Sequence, residues 1–260
     1  MHFLHSALTD VGKQRDNNED ALHVDATHGV AILADGMGGY NAGEVASAMA
    51  VDIVAAEMAR YFSKARRPAN VRDLRRAMEV CVDRANRSIF KAAHTEASYA
   101  GMGTTLVMAV LHGDALLIGH AGDSRAYRLR DDEFVQLTRD HSLLQEQIDA
   151  GLVSPEEAAT APIRNLVTRA LGVEESVLLD VETFTAELGD LYLLCSDGLS
   201  DMVEGHEIAD TIAGPTSLQR KAEQLIELAN TRGGQDNTSV VLLQIIETPK
   251  KSGFIAKLRP

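Results

Sequence analysis

The apolar positions of the chain follow two regimes in turn. Val45, Met49 and Ile53, with Ala46, Ala50 and Val54 beside them, recur at helical spacing and predict an amphipathic helix from about 42 to 62. Arg66, Arg67 and Pro68 break it, after which Leu74, Met78, Cys81, Val82, Ala85 and Ile89 carry the same period to about residue 94. On either side of this block the pattern is that of short strands. Ala21 to Asp25 and Val30 to Ala34, joined through Thr27-His28-Gly29, predict a hairpin. Thr104 to Leu111, Ala115 to His120, Arg125 to Arg130 and Phe134 to Thr138 predict an antiparallel meander with turns at His112-Gly113-Asp114 and Asp131-Asp132. Strands resume at Val181 to Glu187, Leu191 to Cys195 and Ser239 to Ile246, with a helix at about 217 to 231 that Gly233-Gly234 ends.

The strand connections are mostly too short for parallel crossovers, which predicts an antiparallel α+β layered domain and not a doubly wound sheet. Ser142 to Ala159 has a helical period but is interrupted by Gly151 and Pro155, with Pro162 beyond, and its pattern is not that of a core element. It predicts a small flap subdomain at about 143–167. One domain over 1–247 is expected, followed by a tail at 248–260 whose Lys250, Lys251, Lys257 and Arg259 predict a solvated end.

Composition narrows the function. With 45% apolar and 24% charged residues the chain is globular, and its net charge of −13 argues against nucleic-acid binding, which needs a positive surface. Cys81 and Cys195 are too few for a disulfide framework or a cysteine zinc site and are expected to be buried thiols. The start, MHFLHSALTD, lacks the pattern of a signal peptide, and no apolar run is long enough to span a bilayer, so a cytoplasmic protein without membrane contact is expected. No heptad run or apolar edge announces an interface, and a monomer is expected.

The candidate chemistry lies where strands end. Ala31-Ile32-Leu33-Ala34 runs into Asp35, Leu117-Ile118-Gly119-His120-Ala121-Gly122 into Asp123, and Leu191-Tyr192-Leu193-Leu194-Cys195-Ser196 into Asp197. Glu19-Asp20 and Asp236-Asn237 each stand just before a strand. Any one of these is an ordinary turn acid, and Asp-Gly is an ordinary turn signal. Together they point elsewhere, because a carboxylate at the end of a buried strand needs a cation or hydrogen-bond donors to offset its desolvation. Strand ends on one edge of a sheet stack converge, which would gather these acids into a single cleft. All-oxygen ligation favours Mg²⁺ or Mn²⁺ over zinc, and none of the nine histidines falls in a zinc motif. Two such cations can activate a water for in-line attack on phosphorus, and Arg15, close to Glu19 and Asp20, is the candidate guanidinium for the phosphoryl oxygens.

Arg15-x-x-Asn18-Glu19-Asp20, Ala34-Asp35-Gly36-Met37-Gly38-Gly39, Gly103-Thr104-Thr105, Gly122-Asp123-Ser124-Arg125-Ala126-Tyr127, Leu137-Thr138-Arg139-Asp140-His141-Ser142, Thr168-Arg169-Ala170-Leu171-Gly172, Ser196-Asp197-Gly198-Leu199 and Asp236-Asn237-Thr238-Ser239 follow one another in this order. The series, spanning about residues 5 to 246, resembles that of the metal-dependent serine/threonine protein phosphatases of type 2C in their compact bacterial form. The resemblance implies a four-layer α-β-β-α sandwich with two central, mainly antiparallel sheets, a dinuclear metal site at one end and a flap beside it. By motif position Asp35 would bridge two ions and the Gly36 carbonyl would complete one shell. Asp197 and Asp236 would bind the other ion, with Glu19 and Asp20 acting directly or through water. A third, weaker site maps onto Asp123, Asp197 and Asp201, and Arg15 takes the phosphate-binding position. Larger relatives carry a histidine, thought to protonate the leaving group, where this chain has Met37. That role then falls to water or to a histidine from elsewhere such as His141, which is expected to be structural.

The implied substrates are phosphorylated proteins, including a serine/threonine kinase that the phosphatase would oppose. The rival reading is a binding or sensory module that keeps the fold without catalysis, but degenerate forms lose metal ligands and here every acidic position is filled. A kinase or nucleotide hydrolase is excluded by the absence of G-x-x-x-x-G-K-[ST] and of the kinase signatures.

Overall fold

The structure is a computed structural model and describes residues 1–38, 42–64, 70–154, 157 and 166–247. The Arg66-Arg67-Pro68 break, Gly39, the middle of the expected flap and the tail at 248–260 lie outside the described residues.

One sheet holds β1 (His2–Asp10), β7 (Arg125–Arg130), β8 (Glu133–Gln136), β10 (Leu191–Cys195) and β11 (Thr238–Ile246) in the order β1-β11-β10-β7-β8. The other holds β2 (Asp20–Asp25), β3 (Val30–Met37), β5 (Leu106–His112), β6 (Ala115–Ala121) and β9 (Asp180–Thr185) in the order β2-β3-β5-β6-β9, with the short β4 (Gly103–Thr104) pairing β3. Every ladder is antiparallel.

Three buried clusters define the layers. The period-2 alternation of β3 sends Val30, Ile32 and Ala34 outward to meet α1 (Ala42–Lys64) and α2 (Val71–Thr95), where Val54, Met58, Leu74, Met78 and Ile89 are buried. Ala31 and Leu33, on the opposite face, pack between the sheets with Val107, Ile118, Tyr192, Leu194 and Val241. The far side of the first sheet, through Leu193, Cys195, Val240 and Leu242, packs on α4 (Gly205–Ala213) and α5 (Leu218–Thr231), which contribute Ile208, Ile212, Leu225 and Ala229. Each fully buried aliphatic side chain contributes about 1.5–3 kcal/mol. Helix, sheet, sheet and helix are thus the four layers expected.

Two elements differ from the sequence expectation. The N-terminal residues form β1, which pairs β11 along its whole length from His2↔Ile246 to Asp10↔Thr238. Its apolar signal is weak because only Phe3 and Ser6 of the strand are buried, while Leu4 faces solvent. Helix α4 was also not anticipated, since it opens on Gly205 and buries only Ile208 and Ile212. The start of the flap region forms α3 (Leu143–Asp149), capped by the Ser142 hydroxyl, which accepts from the Gln145 N–H, and followed by Gly151 at φ 67°. No described helix is long and apolar enough to cross a membrane.

Candidate metal centre

Antiparallel pairing brings the acidic strand ends to one edge of the sandwich. The β2–β3 register sets Asp20 opposite Asp35, and the β10–β11 register sets Cys195, just before Ser196-Asp197, opposite Val240 near the start of β11. Ser196 ties the two sheets together here. Its hydroxyl donates to Asp20 Oδ2 at 2.9 Å and accepts the Ser239 N–H at 2.9 Å. Asn237 does the same for the loops, accepting the Glu19 N–H at 2.7 Å while donating to the carbonyls of Val11 and Asn17 at 2.9 Å each. Glu19, Asp20, Asp35, Asp197 and Asp236 are thereby held in one place by short polar side chains.

The backbone at Asp35-Gly36 is equally constrained. The Asp35 carbonyl accepts from the Thr105 N–H and the Thr104 hydroxyl, both at 2.8 Å, and the Gly36 N–H donates to the Glu19 carbonyl at 3.0 Å. A Cβ at position 36 would collide with the carbonyls of Gly43 and Glu19, and one at 43 with the Glu19 carboxylate, so only glycine lets these segments approach. Thr104, Thr105, Ser196 and Asn237 were not singled out as site residues from sequence. Each lies inside one of the ordered motif blocks, as a small polar residue beside an acidic or glycine junction.

Electrostatically the carboxylates are frustrated. Burial, reinforced by the charges of Asp20, Asp197, Asp123 and Asp236, pushes Asp35 well above the usual carboxylate range, and Asp197 is raised in the same way. Burial lifts Asp20 to about 6 although Ser239 and Ser196 favour its charged form. Oxygens Asp20 Oδ1 and Asp197 Oδ1 are buried and without a hydrogen-bond partner. Several acidic groups that raise one another and leave oxygens unpartnered fit a hard divalent cation, which supplies the missing positive charge and takes oxygen ligands only.

Asp123 and Asp201 extend the cluster. Burial and the charge of Asp140 raise Asp123 to about 6, and the Asp201 N–H bonds the Asp197 carbonyl at 2.7 Å. With Asp197 they line a cavity of about 500 Å³ closed on one side by Leu144 and Ile148 of α3. Arg15 is half exposed, its guanidinium donating to Asp236 Oδ2 at 2.7 Å.

His141 stands apart from this chemistry. Its Nδ1 accepts the Gly122 N–H at 3.1 Å, and its Nε2 lies 3.0 Å from Asp180 Oδ2 and 2.9 Å from Arg169 Nη1. His120, His141 and Asp180 bring ligand-type atoms within 4.8 Å of one another, yet the Arg169 guanidinium sits among them, 2.9 Å from Asp180 Oδ1. An arginine already occupies the cationic position there. His141 is a structural pin between the Gly122 loop and Thr168, whose N–H bonds its carbonyl at 2.8 Å.

The protein phosphatase 2C family matches residues 12–237 of the chain. This chain belongs to that family. It is 39% identical over 246 residues to the protein phosphatase PhpP of Streptococcus pneumoniae, covering 93% of this chain and 97% of the relative. It is 36% identical over 239 residues to the serine/threonine phosphatase stp of Listeria innocua, covering 91% and 93%. Among solved structures, the serine/threonine phosphatase PstP/Ppp of Mycobacterium tuberculosis superposes with a TM-score of 0.87 at 38% identity, over 95% of this chain and 100% of that one. The catalytic domain of the serine/threonine protein phosphatase PstP in complex with two manganese ions superposes with a TM-score of 0.81 at 37% identity, over 95% and 99%. The chain is accordingly a protein serine/threonine phosphatase.

Proposed function

We propose that this phosphatase hydrolyses phosphoserine and phosphothreonine on proteins by direct attack of water at phosphorus, with two divalent cations, Mn²⁺ or Mg²⁺, as resident cofactors. The observation that carries the reading is the convergence of Asp20, Asp35, Asp197 and Asp236 from both sheets, with buried carboxylate oxygens lacking partners. Asp35, the Gly36 carbonyl, Asp197 and Asp236 would hold the pair, with Glu19 and Asp20 acting directly or through water. Asp123, Asp197 and Asp201 would take a third ion. Bound there, the ions supply a water made acidic enough to react near neutral pH and neutralise charge on the phosphoryl oxygens.

The chain's own residues do the rest. Arg15, held beside the acidic cluster by Asp236, has further N–H donors with which to orient the phosphoryl group through charge-assisted hydrogen bonds. Met37 cannot donate a proton and His141 is tied to Gly122 and Asp180, so the leaving alkoxide is protonated by water in the cleft. The catalytic domain spans 1–247, with a flap over 143–167 and a basic tail at 248–260, and the protein acts as a cytoplasmic monomer opposing a serine/threonine kinase. An inactive binding module has no observation in its favour, because each acidic position of the set is filled.

The test is hydrolysis of a phosphothreonine peptide with Mn²⁺, with Mg²⁺ and with chelator, alongside Asp35→Asn and Asp197→Asn. Metal-dependent turnover lost in both variants is the expected result. No turnover with either metal would refute the reading.

A further inference from the structure

A second cavity, of about 320 Å³, begins at Met37 beside the acidic centre, and its lining mixes aliphatic side chains with the polar Thr168, Arg169, Glu174 and Ser176. Met37, Val167, Ala170, Val173, Val177 and Leu178 contribute to it. Met37 follows the Asp35-Gly36 pair on β3, so the groove begins two residues from the acid placed at the heart of the site. The Met37 side chain reaches away over Gly103. A Cβ built on that glycine would lie 3.2 Å from Met37 Cε and 3.0 Å from Val173 Cγ2, so glycine is what lets both ends meet above β4.

The outer wall is apolar and open. Val173 is 56% exposed and Leu178 69%, in a chain with a net charge of −13. It is also held in place. Asn86, wholly buried on α2, donates to the carbonyls of Glu174 and Glu175 at 3.1 Å each and accepts the Gly172 N–H at 2.8 Å. Gly172, at φ 85°, lies so close to Ile89 that a side chain there would collide with it. Leu171 exchanges backbone hydrogen bonds of 3.0 and 2.8 Å with Thr104, and Arg169 fixes the far end through Asp180. A loop that carries exposed valine and leucine yet is pinned by a buried asparagine and joined to the metal-site strand through β4 is a preformed surface, not a frayed one.

We propose that this groove is a substrate subsite, receiving an apolar side chain that flanks the phosphorylated serine or threonine, so that the phosphatase prefers phosphosites beside Leu, Ile, Val or Met. The inference rests on the reading of the acidic cleft as the phosphatase centre. Met37 is two residues from Asp35 along β3, about 7 Å at about 3.3 Å per residue, which is the reach of two residues of an extended peptide. The occupant follows from that continuity: the groove begins two residues from Asp35, so the segment flanking a phosphoresidue bound at the acidic centre is the polypeptide placed to enter it.

The experiment is a panel of phosphothreonine peptides in a serine-alanine background, with a single leucine moved from three positions before the phosphothreonine to three after it. Values of kcat/KM with Mn²⁺ are measured for the wild type and for Leu178→Asp, with p-nitrophenyl phosphate and the leucine-free peptide as controls. Fluorescence anisotropy of labelled peptides carrying a non-hydrolysable phosphonate gives affinity without turnover. One or two adjacent leucine positions are expected to raise kcat/KM about tenfold, mainly through KM, and to tighten the phosphonate peptide in parallel. Leu178→Asp is expected to abolish that gain and to favour lysine at the same position. A flat panel with both controls turned over, or a leucine gain that Leu178→Asp leaves intact, overturns the subsite. Failure to hydrolyse either control overturns the phosphatase reading itself, and the subsite with it.

Discussion

Asp20 stands directly opposite Asp35 in the β2–β3 ladder, two carboxylates paired across strands where like charges are destabilising. Burial raises both, the Asp20 charge raises Asp35 further, and the Asp236 charge raises each. Such a pair serves a site that receives positive charge and weakens the fold that lacks it. Asp35→Asn is therefore expected to stabilise the chelator-treated protein at pH 7.5 by about 1 kcal/mol, or about 2–4 °C in Tm for a chain of this size. The same variant is expected to lose the rise in Tm that Mn²⁺ gives the wild type. A variant less stable than wild type in chelator would show that Asp35 is held by hydrogen bonds and not opposed by its neighbours.

The pH dependence of the metal-free protein follows from the same groups. Asp20 and Asp123 move from 3.8 to about 6 on folding, and Asp35 and Asp197 move further in the same direction. A raised pKa means that the folded state binds more protons, so this stability is complete below about pH 4 and is lost as pH rises through about 6 and beyond. Asp190 works oppositely. Its burial is outweighed by hydrogen bonds from Arg130, Glu187 and Tyr192, its pKa is lowered, and its contribution is lost only as pH falls below the usual carboxylate range. Thermal melts in chelator are expected to peak near pH 5 and to decline toward pH 8, whereas with Mn²⁺ the decline disappears. A metal-free Tm that rises from pH 5 to 8 would contradict this assignment.

The acidic cleft was legible in the sequence because its parts are local: a run of apolar residues, then an aspartate, then glycine. Antiparallel registry does the rest, since the end of β3 must meet the start of β2 and the end of β10 the start of β11. The supports were harder to see. Ser196 and Asn237 bind partners 176 and 218 residues away, Asp20 and Glu19, and no spacing rule connects them. β1 escaped for a related reason. As an edge strand against β11 it buries only Phe3 on one face and Ser6 on the other, so no alternating apolar run marks it.

Arg15 and Asp236 meet at 2.7 Å across 221 residues, half exposed, and their ion pair is worth only about 0.2–1 kcal/mol to the fold. The arginine's value lies in its unused donors. Arg15→Ala is expected to leave Tm within about 3 °C of wild type while lowering kcat/KM on a phosphothreonine peptide about 100-fold. Arg15→Lys, a point charge without the planar fork, is expected to recover only part of it. Equal losses of stability and activity in Arg15→Ala would reduce the residue to a structural clamp.

His141 invites a catalytic reading because it lies near Asp123 and replaces no other acid, yet both of its nitrogens are engaged. Removing a general acid lowers turnover by about 10²–10⁴. His141→Gln is instead expected to reduce kcat less than tenfold, to keep the shape of the pH–rate profile, and to cost about 1–3 kcal/mol of stability through the unpaired Gly122 N–H. Loss of the basic limb of the pH–rate profile would restore the histidine to the chemistry.

Asn86 is the most consequential polar residue outside the cleft. Wholly buried on α2, it satisfies the Gly172 N–H and two carbonyls of the loop that carries Val173. Asn86→Ala leaves those groups without their partner and is expected to destabilise by about 3 kcal/mol, or about 6–12 °C in Tm. Because the acids proposed as metal ligands lie on other elements, turnover of p-nitrophenyl phosphate at 20 °C is expected to survive while the proposed preference for leucine beside the phosphothreonine weakens with the loosened wall. Hydrogen exchange at Gly172 distinguishes this from a global effect: its amide is expected to lose protection while the amides of β3 keep theirs. Equal loss at both would mean that Asn86 supports the whole helical layer and not the loop.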